Sequence, residues 1–99
     1  MVVQRVTALI KPGKLDEALE MAKEWKRQFQ ITARIYSSIY GTGGTMAFEN
    51  EFENTGEVGK VWEETNAKEE TATWMAKWQE LTVPGYTNEL WNLVEVGTA

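Results

Sequence analysis

Four segments of the chain show the alternation of apolar and polar residues, rich in β-branched side chains, that is typical of β-strands. These predicted strands cover residues 2–10, 31–40, 45–53 and 87–96. The Pro12-Gly13 pair ends the first strand, and the glycine-rich residues 41–44 form a turn between the second and the third. The second and third strands are therefore predicted to fold back on each other as a hairpin.

Apolar residues recur at steps of three and four in the two intervening regions, which predicts helices. The first helix should run from Leu15 to Phe29, with acidic residues in its first turn and basic residues in its last. The second helical region begins near Asn54, where the capping signal is weak, and ends at Leu81. Its two apolar stripes are out of phase, so we predict a kink or break within residues 66–70.

The resulting order, β-α-β-β-α-β, suits a ferredoxin-like α+β sandwich with a four-stranded antiparallel sheet and helices on one face. Residues 1–99 should form a single domain, because a chain of this length supports one core. The other sheet face would be bare in a single copy. We therefore expect a homodimer in which a second copy covers this face.

The composition excludes several kinds of chemistry. Cysteine and histidine are both absent, which removes disulfides, thiolate nucleophiles, the usual general base and the commonest metal ligand. The net charge of −5 disfavours phosphate backbones, so we expect no nucleic-acid partner. The N-terminus does not look like a signal peptide, and no apolar run approaches the ~20 residues of a membrane span. We expect a cytoplasmic protein without a membrane partner.

The stretch Ala8–Leu19, in which a strand passes through Lys-Pro-Gly into a helix, resembles the opening of the dimeric α/β-barrel superfamily. Its NIPSNAP-like and antibiotic-biosynthesis-monooxygenase-like members are the most similar. The run Phe48–Phe52, the helix with Trp62, the Trp74–Trp78 segment and the closing strand resemble the same pattern, which covers nearly the whole chain. These motifs are structural, and none is a catalytic signature.

The resemblance implies a dimeric α/β barrel in which two sheets pack against each other. Members of the superfamily bind small molecules between each sheet and its helices or inside the barrel. Several oxidise, isomerise or degrade small organic molecules, some of them without a cofactor. Haem-degrading relatives use a histidine ligand, which this chain lacks. We therefore expect no cofactor.

The best candidate site lies on the polar face of the predicted hairpin. A hairpin folded about the glycine turn sets Tyr36 opposite Glu49 and Arg34 opposite Glu51, with Arg5 and Tyr40 on the same face. Arg34 and Glu51 would bind the substrate, with Arg34 holding its carboxylate or enolate. Tyr36 and Glu49 would be catalytic, the first stabilising an oxyanion and the second acting as a general base if burial raises its pKa. The alternative is a set of cross-strand ion pairs at a subunit interface.

Two further residues are candidates for substrate binding. Asn50 is a polar residue on an apolar strand face, and Trp91 lies opposite the expected core face of the last strand. The alternative for Asn50, and for the similar Asn92, is a hydrogen-bonded structural amide. The remaining tryptophans fall on helical apolar stripes and are predicted to pack in the core: Trp25, Trp62, Trp74 and Trp78.

A metal site is not expected. Glu49, Glu51 and Glu53 follow one strand face, but no glycine-bearing calcium loop or aspartate cluster accompanies them. Two functions remain open. One is a cofactor-independent enzyme of monooxygenase or isomerase type that acts on a small hydrophobic organic molecule. The other is a non-catalytic module for small-molecule binding or assembly.

Overall fold

The computed structural model describes residues 1–29, 31–39 and 43–94. The strands are β1 (Val2–Leu9), β2 (Arg34–Ser37), β3 (Thr45–Phe52) and β4 (Thr87–Asn92). The helices are α1 (Leu15–Phe29), α2 (Thr55–Asn66) and α3 (Glu69–Leu81). This order confirms the predicted β-α-β-β-α-β pattern, with the second helical region divided in two.

The strands form one antiparallel sheet in the order β2-β3-β1-β4. β1 pairs with β3 from Val2 opposite Phe52 to Leu9 opposite Thr45. Its other edge pairs with β4, from Val2 opposite Asn92 to Thr7 opposite Thr87. The helices pack on one sheet face, so the fold is the predicted ferredoxin-like α+β sandwich.

β1 ends at Leu9 and α1 begins at Leu15, so the chain turns at the predicted Pro12-Gly13 pair. Gly13 has a φ of +78°, a left-handed conformation that glycine adopts without steric cost. The helix that follows buries Ala18, Ala22 and Trp25, whose spacing of four and three residues places them on one side. This side of α1 packs against the sheet.

Aromatic rings fill the space between the sheet and the helices. The Trp25 ring centroid lies 5.5 Å from that of Phe48, and the Trp74 and Trp78 rings stack at 4.9 Å. The Trp62 ring stacks on Trp25 at 6.4 Å. The prediction that these tryptophans pack in or against the core is therefore confirmed.

The break between α2 and α3 falls within the predicted residues 66–70. At the break, the Thr71 hydroxyl donates a 2.6 Å hydrogen bond to the Thr65 backbone carbonyl, and both threonines are buried. The same carbonyl accepts from the Lys68 backbone N–H at 3.2 Å, so two donors satisfy it where the helix is interrupted. At the start of α2, the Asn54 side chain accepts a 3.1 Å hydrogen bond from the Glu57 backbone N–H. No helix in the described ranges is long and apolar enough to cross a membrane.

Two predicted strands are longer than the strands observed. β2 covers residues 34–37 of the predicted 31–40, where Tyr40 lies outside the described residues. β4 ends at Asn92, and residues 95 and 96 of its predicted extent also lie outside the described ranges. Leu90 lies on the predicted face of β4, the helix side, opposite Gln4. It is nevertheless 50% exposed, because this edge strand lies beyond the buried core.

Candidate functional site

Four of the predicted site residues meet on the sheet face opposite the helices, which we call the open sheet face. Together with one residue of β1 they form the arginine–glutamate cluster: Arg5, Arg34, Tyr36, Glu49 and Glu51. The cluster spans β1, β3 and β2, three adjacent strands of the sheet. The sequence placed Arg5 on this face, and its position opposite Glu49 explains why it joins the cluster.

The Glu49 carboxylate is the centre of the cluster. Arg5 donates from Nε at 3.1 Å and also from Nη2, both to Oε2. Arg34 Nη1 and the Tyr36 hydroxyl donate to Oε1 at 3.1 and 3.3 Å. The residue is only 8% exposed, because its neighbours cover it. Both carboxylate oxygens are therefore already bonded to side chains of this chain.

The Arg34 guanidinium is divided between two carboxylates. Its Nη1 donates to Glu49, and its Nη2 donates to Glu51 Oε1 at 2.8 Å. With Arg5 the cluster carries two positive and two negative charges and is neutral overall. Two of the five N–H donors of Arg34 are thus hydrogen-bonded to carboxylates of its own chain.

The pKa of Glu49 is lowered, whereas its proposed role as a general base requires a raised pKa. The hydrogen bond from Arg5 is the largest influence and lowers the pKa of Glu49 below its ordinary value of 4.5. Burial acts in the opposite direction, and the bonds from Tyr36 and Arg34 lower the pKa further. The condition for a general base, a pKa raised by burial, is not met, because the hydrogen bonds to the charged form outweigh the effect of burial. A carboxylate held in this way is a weak proton acceptor.

The pairing of β2 with β3 is shifted by two residues from the predicted register. Arg34 lies opposite Glu49 and Tyr36 opposite Ala47, whereas the sequence predicted Glu51 and Glu49 as their partners. A shift of two residues leaves every side chain on its predicted face. The same four residues therefore meet, although with different neighbours.

A groove of about 320 Å³, open to solvent, lies beside the cluster. Tyr36 and Arg5 line it together with small polar and apolar residues: Thr7, Ser37, Ser38, Thr45, Met46 and Ala47. Arg34, Glu49 and Glu51 do not line this groove. Of the four predicted hairpin residues, only Tyr36 therefore lines this groove.

The other two predicted binding residues lie apart from the cluster. Asn50 projects to the helix side of β3, whereas its neighbour Glu49 projects to the open sheet face. Trp91 lies on the open sheet face opposite Val3, but β4 is two strands away from β3, or about 10 Å. The side chain is 56% exposed. The residues predicted to bind one substrate thus occupy three separate places.

Candidate metal ligands do not gather either. Within residues 1–29, 31–39 and 43–94 there is no group of three or more acidic side chains placed to hold a metal ion. Glu49 and Glu51, two of the three glutamates that follow one strand face, are instead paired with arginines.

Comparison with solved structures supports the resemblance noted in the sequence. An uncharacterised NIPSNAP domain protein from Burkholderia xenovorans superposes with a TM-score of 0.83 at 15% identity, over 100% of both chains. A NIPSNAP family protein from Agrobacterium tumefaciens gives 0.80 at 10% identity, over 92% of this chain and 90% of that one. An antibiotic biosynthesis monooxygenase gives 0.72 at 15% identity, over 96% and 100%.

At these identities the likeness establishes the fold, which this chain shares with NIPSNAP and monooxygenase-like proteins. The sequence matches no protein-family model and no curated protein.

Proposed function

We propose that this chain is a homodimeric assembly module that pairs through its open sheet face. The observation that carries the proposal is the internal pairing of the arginine–glutamate cluster around Glu49. Charges that must be covered by a partner are costly to bury unless they are already paired and hydrogen-bonded. Here both arginines and both glutamates have partners within the chain, so the cluster adds no unpaired charge to the surface that a second copy would cover. Glu89 on β4, opposite Arg5, adds one negative charge to the same face.

The rest of the open sheet face also favours burial. Tyr36 and Trp91 are 44% and 56% exposed, which is high for large aromatic side chains. Aromatic residues and arginine are enriched in protein interfaces, where they supply contact area with few rotatable bonds. The face therefore combines exposed aromatic rings with a neutral polar centre.

A second candidate function is an enzyme of monooxygenase or isomerase type that acts on a small hydrophobic molecule. The groove beside Arg5 and Tyr36 favours it, as does the fold shared with an antibiotic biosynthesis monooxygenase. In this scheme Tyr36 would donate to an oxyanion and Arg34 would orient the substrate. The scheme needs a proton acceptor, and the lowered pKa of Glu49 makes this carboxylate a poor one.

The solution mass of the protein tests the assembly proposal. Light scattering should give about twice the 11.3 kDa of one chain. Ala47→Glu, which adds a charge to the middle of the open sheet face, should yield a folded monomer. The matched control, Ala72→Glu on the exposed side of α3, should remain a dimer. A wild-type protein that stays monomeric at tens of micromolar would overturn the proposal.

The enzyme candidate is tested separately with 1-naphthol as the probe. Oxygen uptake by the wild type that Tyr36→Phe abolishes, with the dimer intact, would favour the catalytic scheme. Equal rates with and without the protein would leave assembly as the better account of the cluster.

A further inference from the structure

Trp91 is a large aromatic side chain that its own chain leaves mostly uncovered. It lies on the open sheet face, on the edge strand β4, and is 56% exposed. Few side chains offer more apolar surface than an indole ring, so leaving this ring in water is unfavourable. A second copy that covers the open sheet face would gain stability by providing a place for it.

The groove beside Tyr36 has room for such a ring. Its volume is about 320 Å³, whereas a cavity of roughly 150 Å³ is enough to hold benzene in another protein. Tyr36 and Ala47 line the groove, and Arg5 borders it on β1. A tyrosine ring and a guanidinium group both make favourable contacts with indole.

The Trp91 ring cannot reach the groove of its own chain. Trp91 is paired with Val3 on one side of β1, and Ala47 is paired with Thr7 on the other side. With a strand spacing of about 4.8 Å and a rise of about 3.3 Å per residue, the Cα atoms of Trp91 and Ala47 are about 16 Å apart. This distance exceeds the reach of a tryptophan side chain, so the ring that enters the groove must come from a second copy.

A two-fold axis can bring each Trp91 to the groove of the other copy. Arg5 lies midway along β1 between Val3 and Thr7. Trp91 and Ala47 are therefore each about 8 Å from Arg5, in opposite directions. When two sheets pack face to face as a symmetric dimer, the two-fold axis lies between them and parallel to both. An axis that passes over Arg5, perpendicular to the line from Trp91 to Ala47, exchanges these two positions between the copies.

The charges near this axis are compatible with the arrangement. The axis brings the two Arg5 side chains of the dimer near each other, and like charges repel. Glu49 on β3 and Glu89 on β4 lie opposite Arg5 on its two sides. Each arginine is therefore flanked by carboxylates of its own chain, which offset the repulsion.

We propose that the homodimer is held by a reciprocal exchange, in which Trp91 of each copy occupies the groove beside Tyr36 and Ala47 of the other. This inference rests on the proposed assembly through the open sheet face and names the contact that holds it. It also means that protein fills the groove in the dimer. Tyr36 is then covered by the partner's Trp91 and is not free to donate to a substrate oxyanion.

An isotope-filtered NOE experiment tests the contact in the wild-type protein. In a dimer mixed from isotope-labelled and unlabelled copies, such a spectrum shows only contacts between copies. We expect cross-peaks between the Trp91 indole protons of one copy and the Ala47 methyl group of the other. A dimer without these cross-peaks would overturn the inference.

Two neighbouring substitutions measure how much the exchange contributes to the dimer. Trp91→Ala should raise the dimer dissociation constant at least about thirtyfold in analytical ultracentrifugation, because each dimer loses two buried indole rings. Leu90→Ala is the matched control, since Leu90 is 50% exposed on the opposite face of β4, and it should change the constant less than about threefold. Circular dichroism should show that both variants keep the wild-type fold.

The outcomes separate this inference from the assembly proposal. A wild-type dimer that Ala47→Glu dissociates and Trp91→Ala leaves unchanged would support assembly and overturn the exchange. A wild-type monomer would overturn both. If Trp91→Ala does not fold, the cross-peaks between wild-type copies still decide the question.

Discussion

Arg34 and Glu49 lie directly opposite each other across the β2–β3 pair, with 3.1 Å between Arg34 Nη1 and Glu49 Oε1. From the other side, Arg5 on β1 reaches the same carboxylate. A single ionised group therefore joins three strands, and its protonation should affect the stability of the whole sheet.

The first prediction concerns acid. The folded pKa of Glu49 lies below 4.5, so as the pH falls the unfolded chain takes up this proton first. The stabilisation from Glu49 is therefore complete above pH 4.5 and is lost as the pH falls from there through the folded pKa. Urea unfolding at a series of pH values should show the free energy of unfolding decreasing in this window.

Glu49→Gln isolates this contribution. At neutral pH the variant should lose roughly 1 kcal/mol of stability, a modest value because both arginine partners are about half exposed to solvent. Its unfolding free energy should vary less with pH below 4.5 than that of the wild type. Glu53→Gln, at the exposed end of the same segment, is the control. Identical pH profiles for wild type and Glu49→Gln would contradict the prediction.

The second prediction concerns the buried side chain of Gln4, which is 3% exposed. Its Oε1 accepts a 2.6 Å hydrogen bond from Trp62 Nε1, and its Nε2 donates to Asn88 Oδ1 at 3.0 Å. Gln4→Leu leaves both groups without this partner and should cost about 1–3 kcal/mol. Thermal unfolding measures the loss, with Gln28→Leu on the exposed side of α1 as the control. A variant as stable as the wild type would show that water replaces both bonds.

The third prediction concerns the start of α2. Asn54 caps this helix by accepting a hydrogen bond from the Glu57 backbone N–H at 3.1 Å. Asn54→Ala should lower the free energy of unfolding by about 0.5–2 kcal/mol, because a first-turn N–H loses its acceptor. Asn66→Ala at the exposed end of α2 should change it by less than about 0.5 kcal/mol. Equal effects of the two substitutions in denaturant unfolding would rule out the capping role.

The sequence was a good guide to which face each side chain occupies. Alternation in β2 and β3 placed Arg34, Tyr36, Glu49 and Glu51 together, and this grouping is confirmed. The grouping is correct although the predicted register is wrong by two residues, because side chains two residues apart on a strand lie on the same face. The helix break was predicted equally well, since a change in phase of the apolar stripe is visible along the chain.

The register itself was not predictable from the glycine-rich turn. The prediction took residues 41–44 as the whole turn, whereas regular pairing already ends with Ser38 N–H donating to Thr45 O at 3.0 Å. The Gly44 carbonyl accepts instead from Ile10 N–H of the neighbouring segment at 2.7 Å. Glycine permits several turn geometries, so the loop length depends on contacts made outside the hairpin.

The direction in which the pKa of Glu49 shifts could not be predicted from the sequence either. Burial and hydrogen bonding change a carboxyl pKa in opposite directions, and only the arrangement of Arg5 and Arg34 decides which is larger. The cavity of about 300 Å³ that Asn50 lines on the helix side of the sheet was not predictable for a similar reason. An apolar strand face shows that an amide is out of place, but the empty space beside it depends on where α1 and α2 end.

The position of Glu49 between two arginines also distinguishes correct from incorrect strand topologies. Arg5 and Arg34 come from strands that do not touch each other, and both reach the carboxylate only because β3 lies between them. A misfolded sheet with β2 placed beside β1 or β4 would separate one arginine from its counter-ion. The Glu49 carboxylate thus stabilises the native strand order relative to these alternatives, because only the native order pairs both arginines with it.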